Sequence, residues 1–335
     1  MTKTSKRIGL ALLTMLALQC LTPPVVDWGA VAAPQTEVAF VTQLKGSVQL
    51  RRGNEARPIR QSMFLNVNDI VKAGEDGQAV IFQAYAPVTR LRPNQSHTIA
   101  QLSPPPPEGS VRPEDFVRLK RLYLNARQRK DIPSPATMGG PDDSIVTLVE
   151  PRGSAVLESR PKFTWTSVNK ASSYEVTVYD RAEKVLWKAR TSDTSVSYPS
   201  DRPPLTPGEY KWEVVTRIGD RVTGDSSLYD ASSFTLVNEE SAAQINADLA
   251  KALAADKGAV SPLYVSALME YKRFPQAAAE LKRALEAAPQ DGDLWEMLME
   301  TYWQMKLWGS REYARRLSKN PDTNAETVRM LQLRR

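Results

Sequence analysis

The chain has 335 residues, which is enough for two or three domains. Hydrophobic residues make up 41% of it and charged residues 24%, as in folded proteins, so the composition excludes a largely disordered chain. The formal net charge of +6 is small for this length and does not favour a nucleic-acid-binding protein. The 24 prolines are clustered, which predicts linkers between domains.

Residues 1–32 have the pattern of a secretory signal peptide. A basic start is followed by the apolar run 8–18, which is too short to span a bilayer comfortably. Small residues predict cleavage after Ala32, and the alternative is a lipoprotein signal that places a lipid on Cys20. Cleavage after Ala32 would remove the only cysteine, so we expect an exported protein without disulfides.

Residues 37–102 contain short segments of alternating apolar and polar residues separated by turns, which predicts a small β-domain. Asp76-Gly77 predicts a hairpin between two of the strands. A second strand pair is expected on either side of Pro93-Asn94.

These strands resemble the FecR-type domain of bacterial envelope proteins. The matching segments are GSVQLRRG at 46–53, NDIVKAG at 68–74, GQAVI at 77–81 and LRPN at 91–94. The chain departs from the family at 84–87, where Ala-Tyr-Ala-Pro replaces an Asp-Gly turn. The resemblance implies a location in the bacterial periplasm or at the cell surface, and it makes an envelope signal-sensing component one alternative for the function.

Residues 103–143 are predicted to form a proline-rich linker with a short basic helix at 112–130. Prolines fix φ and lack an N–H donor, so SPPPPEG at 103–109 favours a stiff extended spacer. The residues that share the apolar face of the helix are Phe116, Leu119, Tyr123 and Ala126. We expect this face to pack on the β-domain and the basic face to be solvated; the alternative is a surface for an anionic polymer or lipid.

Residues 144–237 again alternate apolar and polar residues between turns, which predicts a two-sheet β-sandwich. The segment LTPGEYKWEV, with Tyr210 and Trp212, resembles the tyrosine-corner region of a fibronectin type III domain. That resemblance implies that the Tyr210 hydroxyl fastens a turn to its strand. Trp165 and Trp212 alternate with polar residues, which favours core positions over sugar-binding ones.

Residues 241–335 predict a helical region built from repeats. Matching residues such as Phe274 and Trp308 lie 34 residues apart, which is the period of the tetratricopeptide family, and the region resembles that family. The second unit is less regular, because Arg311 and Arg315 stand where the family has a small and a large apolar residue. The array is therefore short and close to the minimum length for stability.

The first helix of each repeat would line an inner groove, which is the candidate partner-binding site. The residues placed in or near it are Met269, Glu270, Glu296, Glu300 and Trp303. Two glutamates one turn apart beside a tryptophan suit a basic or amphipathic segment of an envelope protein. The alternative is that Trp303 covers the end of a short array and that the glutamates are solvated.

The sequence predicts no enzymatic activity, no cofactor and no metal site. His97 is the only histidine, and one histidine without a cysteine is a poor basis for a metal site or a catalytic triad. No glycine-rich phosphate-binding loop is present. The carboxylates are scattered through turns and helix faces rather than arranged as the pair that glycoside hydrolysis requires.

The whole pattern predicts a multidomain β and α chain that acts as a non-catalytic exported scaffold or adaptor. It would bind envelope proteins through the helical region, and membrane association is expected only through a lipid on Cys20. The alternatives are a protein whose two β-domains bind cell-wall or surface glycan, and an envelope signal-sensing component. A nucleic-acid partner is not expected.

Overall fold

The computed structural model describes residues 37–60, 63–104, 107–132, 146–226, 233–256 and 261–319. The predicted signal peptide, Cys20 and most of the second linker lie outside these ranges. Within them the chain is a mixed β and α protein of several domains, with two β-domains and a helical region. No helix in the described ranges is both long and apolar enough to cross a membrane.

The N-terminal β-domain consists of two four-stranded antiparallel sheets. Its strands are β1 (Glu37–Lys45), β2 (Val48–Arg52), β3 (Glu55–Pro58), β4 (Met63–Asn66), β5 (Ile70–Ala73), β6 (Gln78–Gln83), β7 (Thr89–Leu91) and β8 (Ser96–Thr98). One sheet has the order β4-β1-β6-β7 and the other β3-β2-β5-β8. Val41 and Ile81 of the first sheet and Leu50 and Val71 of the second are fully buried in a shared core.

The hairpin predicted at Asp76-Gly77 is wrong, because the strands on either side of this turn belong to different sheets. Strand β5 pairs with β2 and β8, whereas β6 pairs with β1 and β7. The strands on either side of Pro93-Asn94 also pair with other strands and not with each other. Two packed sheets bury more apolar surface than one hairpin, so these turns carry the chain from sheet to sheet.

The central β-domain combines a three-stranded and a six-stranded sheet. Its strands are β9 (Leu148–Glu150), β10 (Ser154–Val156), β11 (Lys162–Trp165), β12 (Ser173–Asp180), β13 (Val185–Thr191), β14 (Ser195–Ser197), β15 (Gly208–Ile218), β16 (Arg221–Asp225) and β17 (Ser233–Leu236). The smaller sheet has the order β14-β11-β9; the larger has the order β10-β17-β15-β12-β13, with β16 also paired to β15.

Aromatic side chains fill the core of the central β-domain, and the predicted core positions of Trp165 and Trp212 are confirmed. Their exposed fractions are 4% and 0%, so neither ring offers a face on which a sugar could stack. The Tyr210 hydroxyl donates a hydrogen bond of 2.6 Å to the carbonyl oxygen of Thr206 in the turn before β15. Tyr210 therefore fastens this turn to its strand.

The described residues contain six helices. They are α1 (Pro113–Arg129), α2 (Glu239–Ala255), α3 (Pro262–Glu270), α4 (Phe274–Ala287), α5 (Gly292–Gln304) and α6 (Trp308–Lys319). The starts of α4 and α6 and the ends of α3 and α5 keep the 34-residue spacing seen in the sequence. Helix α2 begins before the predicted boundary at 241, because the Asn238 side chain accepts a hydrogen bond of 2.8 Å from the Ser241 amide and caps it.

Candidate functional site

The groove predicted from the sequence is occupied by helix α1 of the same chain. Helix α1 packs against α3 and α5, the first helix of each repeat. On its other side, the Tyr123 ring lies 4.3 Å from the Phe40 ring on the outer face of β1. Leu119 belongs to one buried cluster that also includes residues of β6 and of the helical region, among them Phe82 and Leu298. Helix α1 is therefore a central layer and not part of a linker.

Helix α1 is buried around most of its circumference. The buried residues are Asp115, Phe116, Leu119, Leu122, Tyr123 and Ala126. The exposed residues form one narrow stripe and are Glu114, Val117, Arg121, Leu124 and Gln128. The apolar face predicted from the sequence is confirmed. The prediction that the basic face is solvated is confirmed for Arg121, which is 57% exposed, and is wrong for Arg112 and Arg118, which are 20% and 15% exposed and pair with the buried Asp115.

Glu300 is the most buried acid of the groove, with 2% of the residue exposed. Its Oε1 accepts hydrogen bonds from Arg129 Nη1 at 2.5 Å and from Gln304 Nε2 at 2.8 Å. Burial raises the pKa of Glu300 despite the nearby Arg129 and Arg311. Arg129 is 32% exposed, so removing Glu300 would leave a cation that water can reach, whereas removing Arg129 would leave a buried carboxylate without its ion-pair partner.

The other two groove acids make more exposed ion pairs with the same helix. Glu270 lies 2.7 Å from Arg121, and Glu296 lies 3.1 Å from Lys130. The cations in these pairs are 57% and 43% exposed, so solvent screens both interactions and each contributes at most about 1 kcal/mol. These pairs orient α1 in the groove more than they stabilise it.

Trp303 and Met269 complete the groove. The Trp303 ring is contacted by two guanidinium groups, with Arg311 at 4.9 Å and Arg129 at 5.7 Å from the ring centroid. The Thr301 hydroxyl is 3.3 Å from the Met269 sulfur. Four of the five residues predicted for the site therefore contact side chains of α1 or of Lys130 directly after it, and these are Glu270, Glu296, Glu300 and Trp303. Met269 contacts Thr301 of α5.

Arg311, which makes the second repeat irregular, binds the C-terminal end of α1. It is fully buried and donates from Nη1 to the carbonyl oxygen of Ile132 at 2.8 Å and from Nη2 to that of Arg129. A helix end carries unpaired carbonyl groups and partial negative charge, and a guanidinium satisfies both. The small residue that the repeat pattern expects here could not do this.

A cluster of charged and polar side chains anchors the other end of α1. Asp115 is fully buried and accepts two hydrogen bonds from Arg112 and one from Arg118. Arg112 also donates to Asp248 of α2 at 3.0 Å, and Arg118 donates to the Tyr271 hydroxyl at 3.0 Å. The hydrogen bond from Tyr271, together with Arg112, lowers the pKa of Asp248 to about 2, although burial opposes this shift.

The central β-domain is attached to the helical region by a second buried arginine. Arg152 donates from Nε to the carbonyl oxygen of Met305 at 2.6 Å and from Nη2 to that of Lys306 at 3.3 Å, at the C-terminal end of α5. Glu150 accepts a hydrogen bond of 2.6 Å from Gln276 of α4. The central β-domain therefore contacts the helical region through polar groups that are at least partly buried.

The carboxylates of the site are hydrogen-bonded to arginine, lysine or tyrosine side chains. The only histidine, His97, lies on β8 opposite Val71, and burial lowers its pKa. Among the described residues, no group of three His, Cys, Asp or Glu side chains is arranged to hold a metal ion.

Several residues of the interface were not predicted from the sequence. Asp248, Tyr271 and Arg152 carry no motif, because their partners are more than 20 residues away along the chain. Arg311 did give a signal, since a long cation at a small-residue position is unexpected in a helical repeat. Such a departure from a repeat pattern indicates that something outside the repeat contacts that position.

No protein-family model matches this chain, and no curated protein matches it.

Proposed function

We propose that this protein is a non-catalytic scaffold of the bacterial envelope, exported by its N-terminal signal. The observation that carries the proposal is the position of α1, which packs the outer face of β1 and β6 against α3 and α5. A helix buried on both sides holds its neighbours in one orientation. The proposed task is to present two β-domains, FecR-like and fibronectin-III-like, at a fixed spacing on a tetratricopeptide-like support.

The filled groove changes where partners of this scaffold would bind. A separate protein could use Glu270, Glu296 and Glu300 only after α1 had left, which would expose Leu119 and Tyr123 to water. We therefore propose that α1 is the permanent occupant of the groove. Envelope proteins would then bind to the outer surfaces of the domains.

A covalent lock on α1 tests this proposal. Arg121 and Glu270 form an ion pair across the groove, so cysteines at both positions, with Cys20→Ser, would accept a bis-maleimide bridge. We expect the bridged protein to cross-link to the same envelope proteins as the unbridged protein. The measurement is mass spectrometry of cross-linked complexes in envelope extracts.

The control places the two cysteines at Lys211 and Glu183, an exposed ion pair within the central β-domain. If the bridge between 121 and 270 removed partners that the control bridge retained, the groove would be a docking site that opens. The proposal of a permanent occupant would then be wrong.

A further inference from the structure

A cleft of about 740 Å³ lies where the N-terminal β-domain, the segment before α1 and helix α2 meet. Its walls come from Pro87 and Val88, from residues 107–112 and from the last turn of α2 around Ala254. This volume is within the range of roughly 300–1,000 Å³ that small-molecule sites occupy. The scaffold proposed above makes no use of this cleft.

The lining combines small apolar groups with cations. The apolar residues are Pro87, Val88, Pro107, Ala254 and Ala255. The charged residues are the three cations Arg90, Arg112 and Lys251 and the single acid Glu108. Such a lining suits a ligand with an apolar body and a negatively charged group.

Two of the three cations have donors that are not used within the described residues. Arg112 is committed to Asp115 and Asp248. Arg90 binds Asp256 through Nη2 alone, and Lys251 forms no ion pair with any described residue. Arg90 and Lys251 are therefore the groups that can receive an anion.

Ser110 also lines the cleft, and 7% of the residue is exposed. Its hydroxyl oxygen is buried and has no hydrogen-bond partner among the described residues, so a ligand in the cleft would contact Ser110 through its other atoms.

We propose that this cleft binds a small amphipathic organic anion. Its carboxylate or phosphate group contacts Lys251 and Arg90, and its apolar body lies on Val88 and Ala254. Hydrogen-bond donors outnumber acceptors on the charged side of the cleft, so the ligand is an anion and not a cation or a neutral amide.

Methyl NMR of the full chain, labelled at alanine and valine, tests the proposal with hexanoate as the probe. We expect hexanoate to shift the methyl signals of Val88, Ala254 and Ala255, while hexanamide, its neutral isostere, does not. Monobutyl phosphate distinguishes the two classes of anion. If it binds more tightly than hexanoate, the natural ligand is a phosphate; if it binds more weakly, the natural ligand is a carboxylate. Either result supports the anion site.

Substitutions test whether hexanoate binds through the cationic side chains of the cleft. Lys251→Gln is expected to weaken hexanoate binding about fivefold, as for a screened charge. Lys72→Gln, at an exposed lysine on β5, is the matched control and should have no effect. Thermal unfolding of each variant checks that it remains folded.

Three results would overturn the proposal. The first is equal shifts from hexanoate and hexanamide. The second is no shift of these methyl signals at about 10 mM hexanoate, roughly ten times the Kd of a weak millimolar site. The third is equal affinities of the Lys251→Gln and Lys72→Gln variants for hexanoate.

Discussion

Buried arginines connect the parts of this protein at helix ends. Arg311 binds carbonyl groups at the end of α1, and Arg152 binds those at the end of α5. Both residues are nearly inaccessible to solvent, so each guanidinium needs several acceptors to offset its desolvation. The carbonyl groups of a helix end supply such acceptors without another buried charge.

Replacing Arg311 tests this role. Arg311→Met keeps much of the volume but leaves the carbonyl groups of Ile132 and Arg129 without their donor, so the free energy of unfolding should fall by about 3 kcal/mol. The measurement is urea denaturation. Arg315→Met is the control, because Arg315 is one-third exposed, pairs with Glu312 on its own helix and should contribute less than about 1 kcal/mol. Equal losses in the two variants would contradict a capping role.

Asp248 should make the stability of the protein depend on pH below about 4. Its pKa is about 2 in the folded chain against an ordinary value of 3.8, so the folded state favours the charged form. This stabilisation is complete above the unfolded pKa and is lost as the pH falls from about 4 to about 2. Urea denaturation between those values should show a shallower loss for Asp248→Asn than for the natural chain.

The control for this pH dependence is Asp201→Asn. Asp201 is exposed and forms no ion pair with a described residue, so its variant should follow the natural chain. Parallel curves for all three proteins would mean that Asp248 does not carry the effect.

Among the elements, α1 is the one whose environment differs most from its sequence pattern. An amphipathic helix with a single apolar stripe is normally a surface helix. Here the apolar stripe faces the β-domain and part of the helical region, and the basic side faces α2, α3 and α5. Charge complementarity between α1 and the helical region therefore allows part of a polar face, at Arg112 and at Glu300, to be buried.

Two substitutions on α1 separate its buried and exposed sides. Leu119 is fully buried and Val117 is 52% exposed. Leu119→Asp should lower the free energy of unfolding by about 4 kcal/mol or more, because it places a charge in the shared core. Val117→Asp should change it by less than about 1 kcal/mol. Equal effects in urea denaturation would show that α1 is not the central layer of the fold.

At the scale of the whole molecule, the two β-domains are joined through the helical region. The N-terminal β-domain shares a core with α1 and the repeats, while the central β-domain uses Arg152 and Glu150. The shared core should make these parts unfold together, because disrupting one exposes apolar surface on the others.

Cleavage of the chain between α1 and β9 tests this coupling. A specific protease site inserted after Met138, which lies outside the described residues, would separate the N-terminal β-domain and α1 from the rest. We expect the two pieces to remain associated in gel filtration, because α1 stays packed in the groove. The same cleavage in the Leu119→Asp variant should release them. Separate elution of the pieces from the natural sequence would contradict the shared core.

The sequence by itself determined the local features of this protein. The alternation of apolar and polar residues identified the strands and placed Trp165 and Trp212 in the core of the central β-domain. The 34-residue period located the helical pairs. The groove residues were also predicted together, because their helical spacing places them along one side of the array. Binding of a separate partner at these residues stays a prediction.

Only the tertiary structure decided which of these features meet. The turn at Asp76-Gly77 joins two sheets, and the groove is occupied by α1, which lies 166 and 171 residues away along the chain from its partners Glu296 and Glu300. Turn residues and amphipathic patterns report preferences over a few residues. Which distant surfaces pack against each other depends instead on the total apolar area buried and on charge complementarity. Both are properties of the whole folded chain and not of a short segment.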